Sequence, residues 1–409
     1  AYTREEEFLV TRRRHPVLIY LRTAVARDGT ILARHCRILL DGGAYNSAGA
    51  LAPLLCLGRL SLPYAQKGLR YEGYRVYTNK PPGGAMRGFM SPQVHFAQEV
   101  QMDLLARDLG LDPLEIRLRN ALHVGDVTLS GLSILSSAFA QGLGALAARA
   151  PWRQAQGRRP QGQGFGCSGF PCGAARRVRA GTEAFSTATL VAHPDGFFTL
   201  FTGASDVGQG AETTLCQIAA QELGVPMEKV RIVAADTALT PPDLGTYSSR
   251  VTMMAGNAAR AAAAQVVGRL REAAAAQWEA NPADLEVAGE RIYVRGSPEK
   301  RLALSEAIVS CQAAQEGAPV TGQGIFNPQG RDSPTWSFGS QMAEVTVDTD
   351  TGQVEVSRIV CAHDCGVAIN PMAVEGQLEG SVHMGLGFAL SEVVAMEEGI
   401  TLNPSFLDY

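Results

Sequence analysis

Eight cysteines and seven histidines are distributed over 409 residues without forming a spacing that grips a metal. The thiols stand at 36, 56, 167, 172, 216, 311, 361 and 365, with no Cys-X-X-Cys pair and no ferredoxin run. Cys361-Ala-His-Asp-Cys365 could be a metal site, but Cys361 closes an apolar strand and reads better as core. Scattered free thiols agree with a reducing cytoplasm. No apolar run approaches the roughly 18 residues of a membrane span, and no signal peptide is visible. Because the chain does not start with Met, a removed or missing N-terminal segment stays open. Charge of one sign is also lacking. With 36 basic against 40 acidic residues, a general nucleic-acid surface is excluded. Arg12-Arg13-Arg14 remains, and is expected on a solvated strand end. Walker and Rossmann signatures are absent.

What is present suffices for a globular protein. The length allows two or three domains, and 46% hydrophobic content fills sizeable cores. The first forty residues read as antiparallel strands, with Arg27-Asp-Gly-Thr30 as a hairpin turn between Val17–Ala26 and Ile31–Leu40. Asp41–Gly49 breaks the second strand as a bulge or corner, or as the wall of a site. Pro63–Asn79 leads as a strand into a later loop. Gly110 ends the helix behind that loop, and Asp112-Pro113 caps and starts the next. Gln154–Gln163 reads as a linker, so a first domain over 1–125, a connection over 126–160 and a second domain over 161–409 are expected. In the second domain, His193–Gly196 and Asp348–Gly352 are hairpin turns. Thr213–Leu223 and Thr252–Ala280 are helices, and Val230–Ala235 is a short buried strand. Paired strands with interspersed helices predict α+β, as mixed sheets with flanking helices, rather than a doubly wound parallel sheet.

Three loops carry the chemistry. Lys80-Pro-Pro-Gly-Gly-Ala-Met-Arg-Gly-Phe-Met-Ser-Pro-Gln93 runs into a helix for which Ser91 is the predicted N-cap and Pro92 the first residue. Its glycines at 83, 84 and 88 can bring backbone N–H groups to a ligand, Arg87 adds a cation and Phe89 a flat apolar face. A tight turn with a solvated arginine explains this loop equally well. Phe197–Thr214 is a strand, then Gly208-Gln209-Gly210, then a helix start where Thr213 and Thr214 can donate. Asp243–Thr252 places Ser248, Ser249 and Thr252 before a long alanine-rich helix. Gln377, between Gly376 and Gly380, can both donate and accept. Ordinary capping explains the hydroxyls, but not a glutamine held between two glycines. Convergent neutral donors suit a polar, phosphate-bearing organic ligand better than ATP with magnesium.

These loops, with Asn370-Pro-Met-Ala-Val-Glu-Gly-Gln-Leu-Glu-Gly380, resemble the molybdenum–pterin subunit of the xanthine oxidase family, in the family's order and over nearly the whole chain. The resemblance implies molybdopterin, possibly as its cytosine dinucleotide, with molybdenum held by the pterin dithiolene and no protein metal ligand. By position, Gly208, Gln209 and Gly210 would contact the pterin–metal region. Thr214, Ser248, Ser249 and Gln377 would hold the pterin or its phosphates. Ala85, Met86 and Arg87 would approach the molybdenum, and Phe89 would stack on a flat substrate. Met90 stands where the family carries glycine and would reshape the pocket. Gly88 stands where carbon monoxide dehydrogenases carry a copper-binding cysteine, which sets that branch aside. The arginine that purine enzymes use is expected near Leu55, and this chain has Arg59 instead.

The implied reaction is hydroxylation of an N-heteroaromatic or aldehyde carbon with oxygen from water. Electrons would leave through iron–sulfur ([2Fe-2S]) and FAD partner subunits, in a dimer of the assembled complex. The resemblance also implies that the family's general-base glutamate lies beyond Tyr409 and its Gly-Gly-Phe-Gly-Gly segment before Tyr2. Residues 1–409 alone are accordingly expected to be one part of a longer or split subunit, without turnover. Turnover by them would point to Glu375 or Glu379 as the base. An inactive domain that holds cofactor or serves assembly is the alternative, and a non-redox nucleotide-binding protein is a third reading.

Overall fold

The structure is a computed structural model that describes residues 1–149, 161–173, 185–328, 335–407 and 409. Its elements follow in order: α1 (Arg4–Val10), β1 (Val17–Val25), β2 (Ile31–Asp41), α2 (Ala52–Leu60), β3 (Gly68–Val76), α3 (Ser91–Leu109), α4 (Pro113–Arg119), α5 (Phe139–Arg149) and β4 (Gln161–Cys172). Next come β5 (Ser186–Ala192), β6 (Phe198–Thr202), α6 (Ala211–Leu223), β7 (Val230–Ala234), α7 (Val251–Trp278), β8 (Leu285–Ala288), β9 (Arg291–Val294), β10 (Ser297–Ala303), α8 (Leu304–Ala314) and β11 (Thr321–Phe326). The chain closes with β12 (Thr335–Val347), β13 (Val354–Asp364), α9 (Pro371–Leu390), β14 (Met396–Glu397) and β15 (Ile400–Thr401). Mixed sheets and helices make the architecture α+β.

Two compact units result. One comprises Ala1–Phe170, Trp336–Gly366 and Gly376–Tyr409, the other Pro171–Thr335 and Val367–Glu375. A linear boundary between 125 and 160 differs from this division, because β4, β12 and β13 share one sheet in the order β13-β12-β4. That pairing counts residues 336–366 with the N-terminal residues. Of the expected linker, 154–160 lie outside the described residues, and Gln161–Gln163 begin β4.

In the first unit β1 and β2 pair antiparallel across the Asp28-Gly29 turn, and β3 adds parallel to β2. One expectation fails here. Arg4–Val10 is a helix, because Thr3 and Glu6 form a capping box, with Thr3 N–H donating to Glu6 Oε2 at 2.7 Å. The helix α3 lays an unusually polar face inward: His95, Gln98 and Glu99 are buried beside Val94, Met102 and Ala106. Glu99 Oε1 accepts from Tyr64 Oη at 2.7 Å, and its Oε2 accepts from Arg117 Nε on α4 at 2.9 Å. Arg117 is fully buried and also pairs with Asp103 at 2.8 Å. Asn120 then ties the end of α4 to the hairpin, accepting from Ile31 N–H and donating to Gly29 O.

The second unit centres on a four-stranded sheet, β11-β5-β6-β7, antiparallel except for β6 beside β7. Against it lies α7, whose inward face is alanine at 255, 258, 259, 262 and 263. Small side chains let the helix backbone approach the strands closely. The approach is so close that a Cβ on Gly322 or Gly324 would overlap the carbonyl oxygens of Ala262 and Ala258. The hairpins at 193–196 and 348–352 form as expected, and Gly224 ends α6 in the left-handed conformation.

Two stability predictions follow from α3. Removing one partner of a buried ion pair strands the other, so Arg117→Ala should cost about 3–5 kcal/mol in denaturant unfolding. At half-exposed Arg119, paired with Asp28 and Glu115, alanine should cost less than about 1 kcal/mol. Equal losses would mean that Arg117 is not held as described. Burial, helped by nearby Arg59, pushes the His95 imidazole down to about 3. Folded and unfolded chains then carry the same charge at His95 above about pH 6.5, and only the unfolded chain gains a proton as pH falls toward 3. Stability should therefore decline on acidification by up to about 1.4 kcal/mol per unit more than in His95→Gln. Parallel pH profiles for the two proteins would contradict the buried neutral imidazole.

Candidate functional site

In the first unit the loop from Lys80 to Gln93 is fixed by its own chain. Lys80 Nζ pairs with Asp41 Oδ2 at 2.8 Å, and Gly83 N–H and Gly84 N–H donate to Gly42 O and Arg13 O at 3.1 and 2.9 Å. A Cβ on Gly83 would stand 2.7 Å from the His15 ring, and one on Gly84 2.7 Å from Arg12 Cδ. These two glycines therefore admit residues 12–15, and their N–H groups are not left for a ligand as expected. The arginine triplet is corrected with them. Arg12 is exposed, but Arg13 and Arg14 are half-buried beside the loop, and Arg14 Nη2 donates to Arg87 O at 2.8 Å.

The loop's exit also differs from expectation. Met90, at φ +67°, is the N-cap, and Ser91 is the first helical residue with its Oγ buried and unpartnered. Met90 adopts this costly backbone while its side chain sinks into the core with Cys36, Ile38, Leu40 and Val94. It reshapes the core and not a pocket. Phe89 is half-buried on the same core, with its ring 5.8 Å from that of His15. Ala85, Met86 and Arg87 are exposed. Arg87 Nη2 donates to Gln377 O at 2.8 Å and to Gln377 Oε1 at 3.0 Å, and Gln377 lies within α9. An open cavity of about 780 Å³ is lined by Arg12, Arg14, Lys80, Met86, Phe388 and Tyr409, among others. His15 lies on it too, buried with both ring nitrogens unpartnered. Burial and then Arg75 lower its pKa. Arg59 is buried in α2 with its guanidinium 4.0 Å from the Phe170 ring centroid, so it is no exposed substrate cation.

In the second unit β6 leads through Gly208 (φ +102°) and Gly210 (φ +75°) into α6. Nothing lies within 4 Å of where either Cβ would stand. Gln209 folds back on its own loop, accepting from Val207 N–H at 2.7 Å and donating to Ser205 O at 3.2 Å. Thr214 Oγ1 donates to Gly210 O inside its helix, not outward. The helix start, expected to face an external anion, faces Asp206. Its carboxylate accepts from Gly208 N–H at 2.7 Å, and that bond, with further help from the N–H groups of Ala211, Glu212 and Gly210, lowers its pKa.

The loop before α7 is clamped by buried Arg250. Its guanidinium donates to Asp243 Oδ1 at 2.9 Å, Gly245 O at 3.2 Å and Phe185 O at 2.7 Å. Just ahead of it Ser248 (φ +54°) and Ser249 (φ +50°) are both left-handed. Two consecutive non-glycine residues in that region hold strain on the order of 1–3 kcal/mol each, which the Arg250 clamp maintains. Sequence reasoning named both serines but could not see their strain. It gave Asp206 and Phe388 no role and placed Arg14 on a solvated strand end, although Asp206-Val-Gly208 is a recognisable turn signal.

The described residues contain no helix long and apolar enough to cross a membrane. Residues 1–121 and 139–409 each match a molybdopterin cofactor-binding domain. The whole chain is 33% identical to 55% of a putative xanthine dehydrogenase molybdenum-binding subunit from Escherichia coli strain K12. It is 30% identical over 94% of its length to 51% of a carbon monoxide dehydrogenase large chain from Afipia carboxidovorans. Among solved structures, quinoline 2-oxidoreductase from Pseudomonas putida 86 superposes with a TM-score of 0.87 at 28% identity, over 100% of this chain and 55% of that one. The chain belongs to the molybdenum-binding subunits of the xanthine oxidase family, and it spans about half the length of these relatives.

If Ser248 and Ser249 are strained, glycine should relieve them. Ser249→Gly, at the more exposed position, is expected to raise unfolding stability by about 0.5–1 kcal/mol despite glycine's entropy cost. A loss of stability would show that the serine hydroxyl, not strain, governs this turn.

Proposed function

We propose that the chain holds molybdopterin, and that the intact protein hydroxylates an N-heteroaromatic or aldehyde substrate with oxygen from water. The strained Ser248–Ser249 turn at the start of α7 carries this reading. Strain of that kind collects at sites that bind, and here a buried arginine enforces it. When bound, the molybdenum–pterin group would supply the oxygen-transfer chemistry and receive the two electrons. The open space over Gly208 and Gly210 fits the close approach of such a group. Asp206 answers the α6 dipole, so the group's phosphate would be received by the Ser248–Ser249 hydroxyls rather than by that helix start. Arg87 would present its cation to the molybdenum side, with Gln377 fixing its direction, and Ala85 and Met86 would flank it. The uncovered part of Phe89 would give the flat wall for substrate.

The finer points of the proposal are a cytosine dinucleotide form of the pterin and a dimeric, cytoplasmic complex with [2Fe-2S] and FAD subunits. The test is Gln209→Ala in the assembled protein. Loss of its two loop bonds should lower pterin and molybdenum content about tenfold, with a melting shift below about 2 °C. Molybdenum by mass spectrometry and pterin by fluorescence would be measured beside thermal melting. Full cofactor with a large drop in melting temperature would sink the reading and leave Gln209 as a fold residue.

A further inference from the structure

We propose that Arg14 is the positioning residue for the Arg87–Gln377 pair, gripping the cofactor loop and α9 with one guanidinium. The proposal rests on the reading that Arg87 and Gln377 serve the cofactor. Arg14 Nη2 donates to Arg87 O at 2.8 Å, while Arg14 Cζ lies 5.0 Å from the centroid of the Phe388 ring. Phe388 and Gln377 are on the same helix, and their separation, 388 minus 377, is close to three turns, so both leave one face of α9. Arg87 Nη2 in turn reaches Gln377 O and Oε1. A closed ring of contacts results: Arg14 to Arg87, Arg87 to Gln377, along α9 to Phe388, and back to Arg14. Gly380 fits within it, since a Cβ there would stand 3.8 Å from Arg87 Nη1.

Arginine is the residue this geometry needs. A planar guanidinium can donate edge-on to a carbonyl while lying over an aromatic ring in one fixed orientation, whereas an ammonium is a compact point charge on a flexible stem that does not fix that orientation. The neighbouring backbone is tied to the loop twice, because Arg13 N–H donates to Pro82 O at 3.3 Å and Arg13 O accepts from Gly84 N–H at 2.9 Å. The position of Arg14 is also costly. Arg14 Nε and Nη1 are buried without a hydrogen-bond partner, and burial lowers its pKa, with Tyr409 opposing. A shape-filling apolar residue would pack there without that penalty. The cost is explained if the guanidinium sets where Arg87 points.

The test uses the assembled complex with Arg14→Lys, Arg14→Ala and Phe388→Leu, and with Arg87→Ala and Gln377→Ala as references. Pterin and molybdenum content, the paramagnetic resonance line shape of the molybdenum centre, kcat, KM and melting temperature are measured for each. Arg14→Lys should lose about 10–100-fold in kcat or in cofactor retention, with KM within about twofold and an altered line shape. Its melting temperature should stay within a few degrees of the parent. Arg14→Ala added to Arg87→Ala should cost less than about threefold more, since both act through one link. Should Arg14→Ala fail to fold, Phe388→Leu keeps the hydrogen bond, loses the ring, and must still shift the line shape. Wild-type content, line shape and kcat in Arg14→Lys and Phe388→Leu, with loss in the two references, would overturn the positioning role alone. If Arg87→Ala and Gln377→Ala also keep cofactor and line shape, the cofactor reading falls and the proposal with it.

Discussion

Glu99 and Arg117, buried together, are the constraint on which the first unit depends. Either charge alone would be costly in that interior, and each draws its second bonds from elsewhere: Glu99 from Tyr64, Arg117 from Asp103 and Pro113 O. Such a pair adds little net stability compared with an apolar packing of equal volume. What it adds is direction. A helix with an apolar face can rotate or slide by a small angle at modest cost, whereas a carboxylate that must meet both a phenol and a guanidinium fixes azimuth and height together. With α3 fixed, Met90 at its start is fixed, and with Met90 the exit of the Lys80–Gln93 loop. The functional loop inherits its precision from an ion pair well down the helix.

Loops in each of the two units share a second device. Asp41-Gly-Gly43, Asp206-Val-Gly208, Asp243-Leu-Gly245 and Asp364-Cys-Gly366 are each an aspartate whose carboxylate accepts the N–H of a glycine two residues on, at 3.1, 2.7, 2.8 and 3.0 Å. All four glycines have positive φ. Each aspartate closes its own turn, so the loop's shape does not depend on a ligand. Two of the carboxylates also meet a cation, Asp41 that of Lys80 and Asp243 that of Arg250. Those two loops carry their own counter-charge before anything binds. Beside the Arg87 cation, what remains to offer a ligand is backbone, hydroxyl and amide, the neutral donor set that the sequence suggested for a phosphate-bearing organic group.

That comparison marks what could be read from residues alone. The hairpins at 27–30, 193–196 and 348–352, the stop at Gly224 and the long alanine-rich helix were legible, because turn chemistry and small-residue runs act over a few neighbours. The first helix was equally legible from Thr3-Arg-Glu-Glu6 but was overlooked beside the strands that follow. Other features were not local at all. Whether Gly83 opens a path for a ligand or for His15 depends on the segment 12–15, which enters from far away in sequence. Ser91 looked like a cap because serine before proline usually is one. The buried demand of Met90 shifted the helix start by one residue, a tertiary override of a good local signal.

The residue roles divide in the same way. Motif order along the chain identified the family, since order survives any error about individual contacts. It could not assign Arg14. A run of three arginines in a chain of balanced charge reads as solvated, because nothing nearby in sequence competes for it. Only folding supplies a carbonyl from residue 87 and a ring from residue 388, and only then does one arginine of the three differ from its neighbours. Arg12 is exposed, Arg13 turns to Phe8 O and the Met396 sulfur, and among the three guanidinium groups that of Arg14 donates to Arg87 O. Three identical side chains in succession thus end in three environments, and the backbone pairing of Arg13 with Pro82 and Gly84 of the loop decides which of them reaches Arg87.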